Sequence, residues 1–170
     1  MLDATITLRP LQPADRDPIA AILGTISAFR PEEVAVALEM VDETLDPRPE
    51  TDYAWIIAEQ AGHVVGFACF GPVPLTEGTF DLYWVAVDPA TTRAGIASRL
   101  DDAVTARVQA MPGARWLLAE TSSTPDYAPA QAFYARRGYE LVGRLADYYR
   151  PGDERLTYGK RLDGDRHVSD

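Results

Sequence analysis

Apolar and polar positions recur at two different periods along this chain, and the changes of period divide it into elements. Thr5, Ile6, Thr7 and Leu8 alternate, so residues 5–9 predict an edge strand that Pro10 ends. Ile19, Ile22, Leu23 and Ile26 share one face of a helix predicted over residues 13–29. A second helix opens at Pro31, with Glu32 and Glu33 at its positive end and Val34, Leu38, Val41 and Leu45 at helical spacing. Runs of β-branched and aromatic residues at 53–59 and 64–70, joined by Gln60, Ala61, Gly62 and His63, predict a hairpin. Residues 80–87 are almost continuously apolar, as in a strand covered on both faces, so this strand should be central. Asp88 and Pro89 stop it. Next, Ile96, Leu100, Ala103, Val104, Val108 and Met111 form the stripe of an amphipathic helix, which Pro112 and Gly113 end. A buried strand follows at 116–119. Asp126 is placed to cap a helix running to residue 137, and Gly138 suits the left-handed position after it. Residues 139–144 and 155–162 predict two final strands around Pro151, Gly152 and Asp153. The result is a mixed α/β sheet in a single domain over residues 1–162, with a polar tail over 163–170.

Composition narrows the chemistry. The 170 residues carry 26 acids against 16 bases, a net charge of −10, and a single lysine, Lys160, which argues against binding nucleic acid through its phosphates. One cysteine, Cys69, leaves no internal disulfide and no thiolate zinc site, and His63 and His167 are too far apart in sequence to suggest a metal pair. No metal is expected. No apolar run nears the ~20 residues of a membrane span, and the first ten residues lack the order of a signal peptide, so the expected location is the cytoplasm, away from membranes. The charge is uneven: residues 1–90 sum to −11 and residues 91–170 to +1. The densest acidic stretch, 32–52, reads either as a solvated helix face or as a field that attracts a cationic substrate.

The most informative segment is residues 82–100, where a buried strand runs into a loop and Gly95 stands at the opening of a helix. Such a turn offers backbone N–H groups at the positive end of a helix, a ready site for a pyrophosphate. Thr92, Arg93, Ala94, Gly95, Ile96 and Ala97 follow the cofactor signature of the GNAT superfamily of acyl-CoA-dependent N-acyltransferases, except that Thr92 stands where the family has Gln or Arg. A second family signature, Phe-Tyr, three residues and Gly-Tyr, appears as Phe133, Tyr134, Ala135, Arg136, Arg137, Gly138 and Tyr139. The chain resembles that superfamily over most of its length.

The resemblance implies a mixed, mostly antiparallel sheet of about seven strands flanked by about four helices, and acetyl-CoA as cosubstrate. Cofactor contacts fall on Val85, Ala86 and Val87, on the loop from Thr92 to Ala97, and at Tyr127, which replaces an asparagine common in the family. Alkylamines are protonated at neutral pH, with pKa near 10.4, so attack on a thioester needs a base. The resemblance places it at Asp81, four residues and roughly 13 Å along the strand from Val85, which calls for a water relay. Glu120, expected at the end of the fifth strand, is the competing base. A backbone N–H near Val87 could stabilise the oxyanion, and Tyr134 matches the tyrosine that protonates the departing sulfur. Tyr148 and Tyr149 are expected in a loop beside the acceptor pocket. The implied activity is acetyl transfer to a small-molecule amine or a protein N-terminal amine, by direct attack in a ternary complex; a homodimer is compatible with it. The alternative is a non-catalytic acyl-CoA-binding regulatory module.

Overall fold

A computed structural model describes residues 5–164, without the side chains of residues 92–94. Its elements are β1 (Ile6–Arg9), α1 (Arg16–Thr25), α2 (Pro31–Leu45), β2 (Ala54–Gln60), β3 (His63–Pro72), β4 (Thr79–Val87), α3 (Ile96–Gln109), β5 (Trp116–Ser122), α4 (Ala128–Arg136), β6 (Glu140–Arg150) and β7 (Asp153–Arg161). The strands form one sheet in the order β1-β2-β3-β4-β5-β7-β6. β1 lies at an edge and β4 in the middle, as the pattern of apolar positions requires. β4 and β5 run parallel, whereas β1–β2, β2–β3, β5–β7 and β6–β7 are antiparallel. The expected mixed, mostly antiparallel sheet with four helices is what forms. The predicted tail lies outside the described residues from 165 onward.

The chain packs as two compact units, one reaching Gly71 and taking in Tyr83–Val104, the other comprising Pro72–Leu82 and the chain from Thr105. In the first, Ile19, Ile22 and Leu23 of α1 and Ala37, Met40 and Val41 of α2 pack with Trp55 and Ile57 of β2 and Phe67 and Cys69 of β3. Trp55 and Ile57 of β2 and Phe67 and Cys69 of β3 therefore face these helices, as the two-residue period of a strand dictates. Each large apolar side chain so buried contributes about 1.5–3 kcal/mol. The hairpin is tighter than predicted: Gln60 already pairs with His63, and only Ala61 (φ 51°) and Gly62 (φ 81°) turn the chain. Two successive residues of positive φ make the turn whose twist matches antiparallel strands. α1 ends at Thr25 instead of residue 29, because the Thr25 hydroxyl donates to the Ile22 carbonyl at 2.6 Å and Ile26 is already extended.

In the second unit β5 is longer than the predicted 116–119. β7 pairs with it from Trp116–Arg161 to Ser122–Arg155, and this ladder carries Glu120 inside the strand, not at its end. β6 likewise extends to Arg150, so Tyr148 and Tyr149 belong to a strand and not to a loop. Its register against β7 shifts between Leu145 and Arg150, where Asp147 takes a φ of 53°. Asp126 lies in a short 3-10 turn, Pro125–Tyr127, and Tyr127 is the residue that precedes α4, so Asp126 does not cap it. Met111 falls beyond the end of α3 and is exposed, outside the stripe to which it was assigned. Gly138 does take the left-handed conformation, with φ 81°.

Candidate active site

In the first unit, the end of β4 is tied down by Asp88. Its N–H donates to the Val65 carbonyl at 2.9 Å, its side chain accepts the Ala90 N–H at 2.9 Å, and its carbonyl accepts the Thr91 N–H at 2.8 Å. Asp88 thus does more than stop the strand; an Asp-Pro pair after an apolar run is the signal for this turn chemistry. The backbone then makes a 3-10 turn, Pro89–Ala94, and reaches Gly95 at φ 68° and ψ 22°. The side chains of Thr92, Arg93 and Ala94 lie outside the described residues. The Arg99 N–H donates to the Gly95 carbonyl at 3.1 Å and starts the ladder of α3. The N–H groups just before Arg99 precede that ladder and stand at the positive end of the helix.

Gly95 is exposed, and nothing lies within 4 Å of the position its Cβ would take. An exposed left-handed glycine opening a helix fits an anionic group such as the pyrophosphate of acetyl-CoA. Ile96 is buried, so only its backbone is available to a ligand; Ala97 is half-buried. Of the three residues assigned on β4, Ala86 is buried and Val85 and Val87 are half-buried.

In the second unit, Asp81 forms the last of three parallel pairs between β4 and β5, opposite Leu118. Burial, and then the charge of Glu120, push the Asp81 carboxyl up to about 6. Two candidate bases are thus brought within each other's field. Glu120 has a further neighbour, because Arg155 Nε of β7 lies 3.5 Å from its Oε1. The Arg155 guanidinium also sits over the Tyr148 ring, 4.5 Å from its centroid, and Tyr148 meets Tyr149 edge-to-face at 4.9 Å. Burial, followed by the Glu120 charge, pushes the Tyr149 phenol up to about 12. Arg155 was not singled out from sequence, since a lone arginine in an alternating strand carries no local mark of its partners.

The end of β5 beside this group is locked. Ser122 Oγ donates to the buried Asp153 carboxylate at 2.5 Å, and Gln131 of α4 donates to the Ser122 carbonyl at 2.9 Å. Tyr134 is buried within α4 among the rings of Phe133, Tyr139 and Tyr158, with centroids 5.6, 5.3 and 5.6 Å away. Its carbonyl accepts the N–H groups of Arg137 and Tyr139, both at 3.0 Å, which fixes the last turn of the helix. Tyr127 is half-buried at the start of α4. A surface hollow lined by Glu77, Gly78, Pro112, Gly113 and Arg115 contains none of the predicted site residues.

A family model described as the acetyltransferase (GNAT) family matches residues 22–139. Among solved structures, a GNAT-family protein from Desulfovibrio desulfuricans is 36% identical, with a TM-score of 0.88 over 93% of this chain and 99% of that one. The ribosomal-protein-S18-alanine N-acetyltransferase of Escherichia coli superposes with a TM-score of 0.74 at 20% identity, covering 98% of this chain and 99% of that one. An aminoglycoside 6′-N-acetyltransferase complexed with coenzyme A does so with 0.71 at 16% identity, over 92% and 97%. These last two share the fold alone. No curated protein matches the sequence. No helix among the described residues is long and apolar enough to cross a membrane. The family match over most of the chain, and 36% identity to a protein of the same fold, make this chain a member of the GNAT family and an acyl-CoA-dependent N-acetyltransferase.

Proposed function

We propose that the protein moves an acetyl group from acetyl-CoA to a primary amine by direct attack, with Asp81 as the base. The observation that carries this reading is the unlike surroundings of two carboxylates: Asp81 is half-buried and pushed up to about 6, whereas Glu120 is engaged by Arg155. A base works best when its pKa lies near the operating pH, because it is then ionised and still takes a proton readily. Asp81 meets that condition. The distance from Asp81 to Val85 along an extended strand, roughly 13 Å, calls for water between base and amine.

Acetyl-CoA supplies the activated thioester, and the residues that would hold it are the Gly95 turn, the backbone of Val85, Ala86 and Val87, and Tyr127. Tyr134 donates the proton to the departing thiolate, its ring held by three aromatic neighbours. The acceptor is a cationic amine, small molecule or protein N-terminus, met in the cytoplasm. Support for an amine comes from the structural likeness to a ribosomal-protein-S18-alanine N-acetyltransferase and an aminoglycoside 6′-N-acetyltransferase, and support for a cation from the acids on α2.

The test is coenzyme A release with a panel of primary amines, followed across pH. kcat/KM should fall below about pH 6 as Asp81 takes a proton. Asp81→Asn should cut kcat by roughly 10²–10⁴-fold. Because the folded state raises this carboxyl's pKa, its ionised form costs stability at neutral pH, so the variant should also melt at a higher temperature. A variant retaining full turnover would end the assignment of Asp81.

A further inference from the structure

We infer that Arg155 is a positioning residue for Asp81: it holds the Glu120 carboxylate and offsets its charge, so that Asp81 stays ionised when the amine arrives. The inference rests on the reading of Asp81 as the base. Its geometry involves four strands. Asp81 of β4 stands opposite Leu118, two residues before Glu120 and so on the same face of β5, and Arg155 of β7 comes within 3.5 Å of the Glu120 carboxylate; the Glu120 charge acts on Asp81 and on Tyr149 of β6. Arg155 in turn lies over Tyr148, while the other nearby charges, Arg150 and Asp153, pair with each other at 3.3 Å. Glu120 is therefore the carboxylate that Arg155 engages, and Glu120 is the charge that Asp81 feels.

The Arg155 Nε is buried and makes no hydrogen bond to any described residue, although Glu120 Oε1 stands only 3.5 Å away. A buried donor left without a partner costs stability, and an ion pair whose carboxylate is 45% exposed returns little of it. The arrangement is better explained by what the guanidinium does to the two carboxylates. Two facing carboxylates raise each other's pKa, and a cation beside one of them reduces the effect on the other. Without Arg155, Asp81 would face an unbalanced negative charge and would hold its proton to higher pH.

A carbon-13 NMR titration of the aspartate and glutamate carboxyls in the full chain reads the Asp81 midpoint directly and needs no acceptor. Arg155→Met should raise that midpoint by about half a pH unit or more. Arg155→Lys should restore it, and Glu120→Gln should lower it. In the Glu120→Gln background, Arg155→Met should move it distinctly less. Arg155→Gln serves where the methionine variant does not fold. The same upward displacement should appear in the acid limb of kcat/KM, with turnover recovering at higher pH. An Asp81 midpoint unmoved by a folded Arg155 variant, or moved equally when Glu120 is already glutamine, overturns the inference. If the midpoint moves as described while Asp81→Asn remains fully active, the electrostatic coupling stands and Asp81 is not the base.

Discussion

Arg9 and Asp15 form a two-bond clamp, with Nη1 reaching Oδ2 at 2.7 Å and Nη2 reaching Oδ1 at 2.8 Å. Arg9 Nε also reaches Glu59 at 2.7 Å, and the Gln12 N–H donates to Asp15 at 2.7 Å. One guanidinium thus joins β1, β2 and the turn before α1. Burial pushes the Asp15 carboxyl up, but the Arg9 bonds, the Gln12 N–H and the Arg9 charge outweigh it and hold the carboxyl below its ordinary value. A depressed folded-state pKa stabilises fully above the unfolded value, about pH 4, and the gain is lost as pH falls through the folded pKa. Asp15→Asn should cost about 3 kcal/mol at pH 7, since it leaves Arg9 with half its clamp. It should also flatten the loss of stability in acid. Urea unfolding at pH 7 and pH 3 measures both, and an unchanged acid loss in the variant would show that Asp15 is not its source.

The turn at Gly95 separates backbone strain from ligand exclusion. Its φ of 68° penalises any side chain, yet the space around it is open. Gly95→Ala should therefore lower stability modestly and keep acetyl-CoA affinity within a few-fold, whereas Gly95→Glu should abolish binding by placing a negative charge at the pyrophosphate. Calorimetric titration compares the two. Equal affinities for acetyl-CoA would remove the loop from the cofactor site.

Tyr134 is one ring of a packed cluster and is also the proposed proton donor. Tyr134→Phe keeps the ring against Phe133, Tyr139 and Tyr158 and removes only the hydroxyl. The melting temperature should stay close to that of the parent, while kcat falls by about 10²-fold or more with acetyl-CoA affinity intact. A kcat within about twofold of the parent would leave Tyr134 a packing residue.

Two of the acids on α2 are already paired within the chain, Glu33 with Arg30 and Asp42 with Arg16, whereas Glu39 and Glu43 are exposed. If the stretch draws a cationic acceptor, reversing Glu39 and Glu43 to lysine should raise KM more than it changes kcat. Fields of exposed charges decay over about 8 Å at physiological salt, so kcat/KM should also fall as salt rises. A salt-independent kcat/KM would return these acids to a solvated face.

Much of the architecture follows from local rules. The β-branched and aromatic runs at residues 53–59 and 64–70, the helical stripe beginning at Ile96 and the left-handed Gly138 report local composition, short-range periodicity and backbone preference, and these are properties of neighbouring residues. The Gly95 turn and the Phe133-Tyr134 pair are likewise contiguous, so the family signatures they carry are visible before any folding. Strand lengths are not of this kind: β5 runs past residue 119 because β7, arriving much later in the chain, pairs with it through Ser122, and β7 rather than β6 takes that place. The same ladder sets Glu120 within reach of Arg155, and the clamp on Asp15 needs an arginine from β1 that is itself held by β2. Which acid is tuned and which is neutralised is decided by burial and by partners distant in sequence. A carboxylate's pKa depends on the charges and solvent around it in space, and only the folded chain defines those.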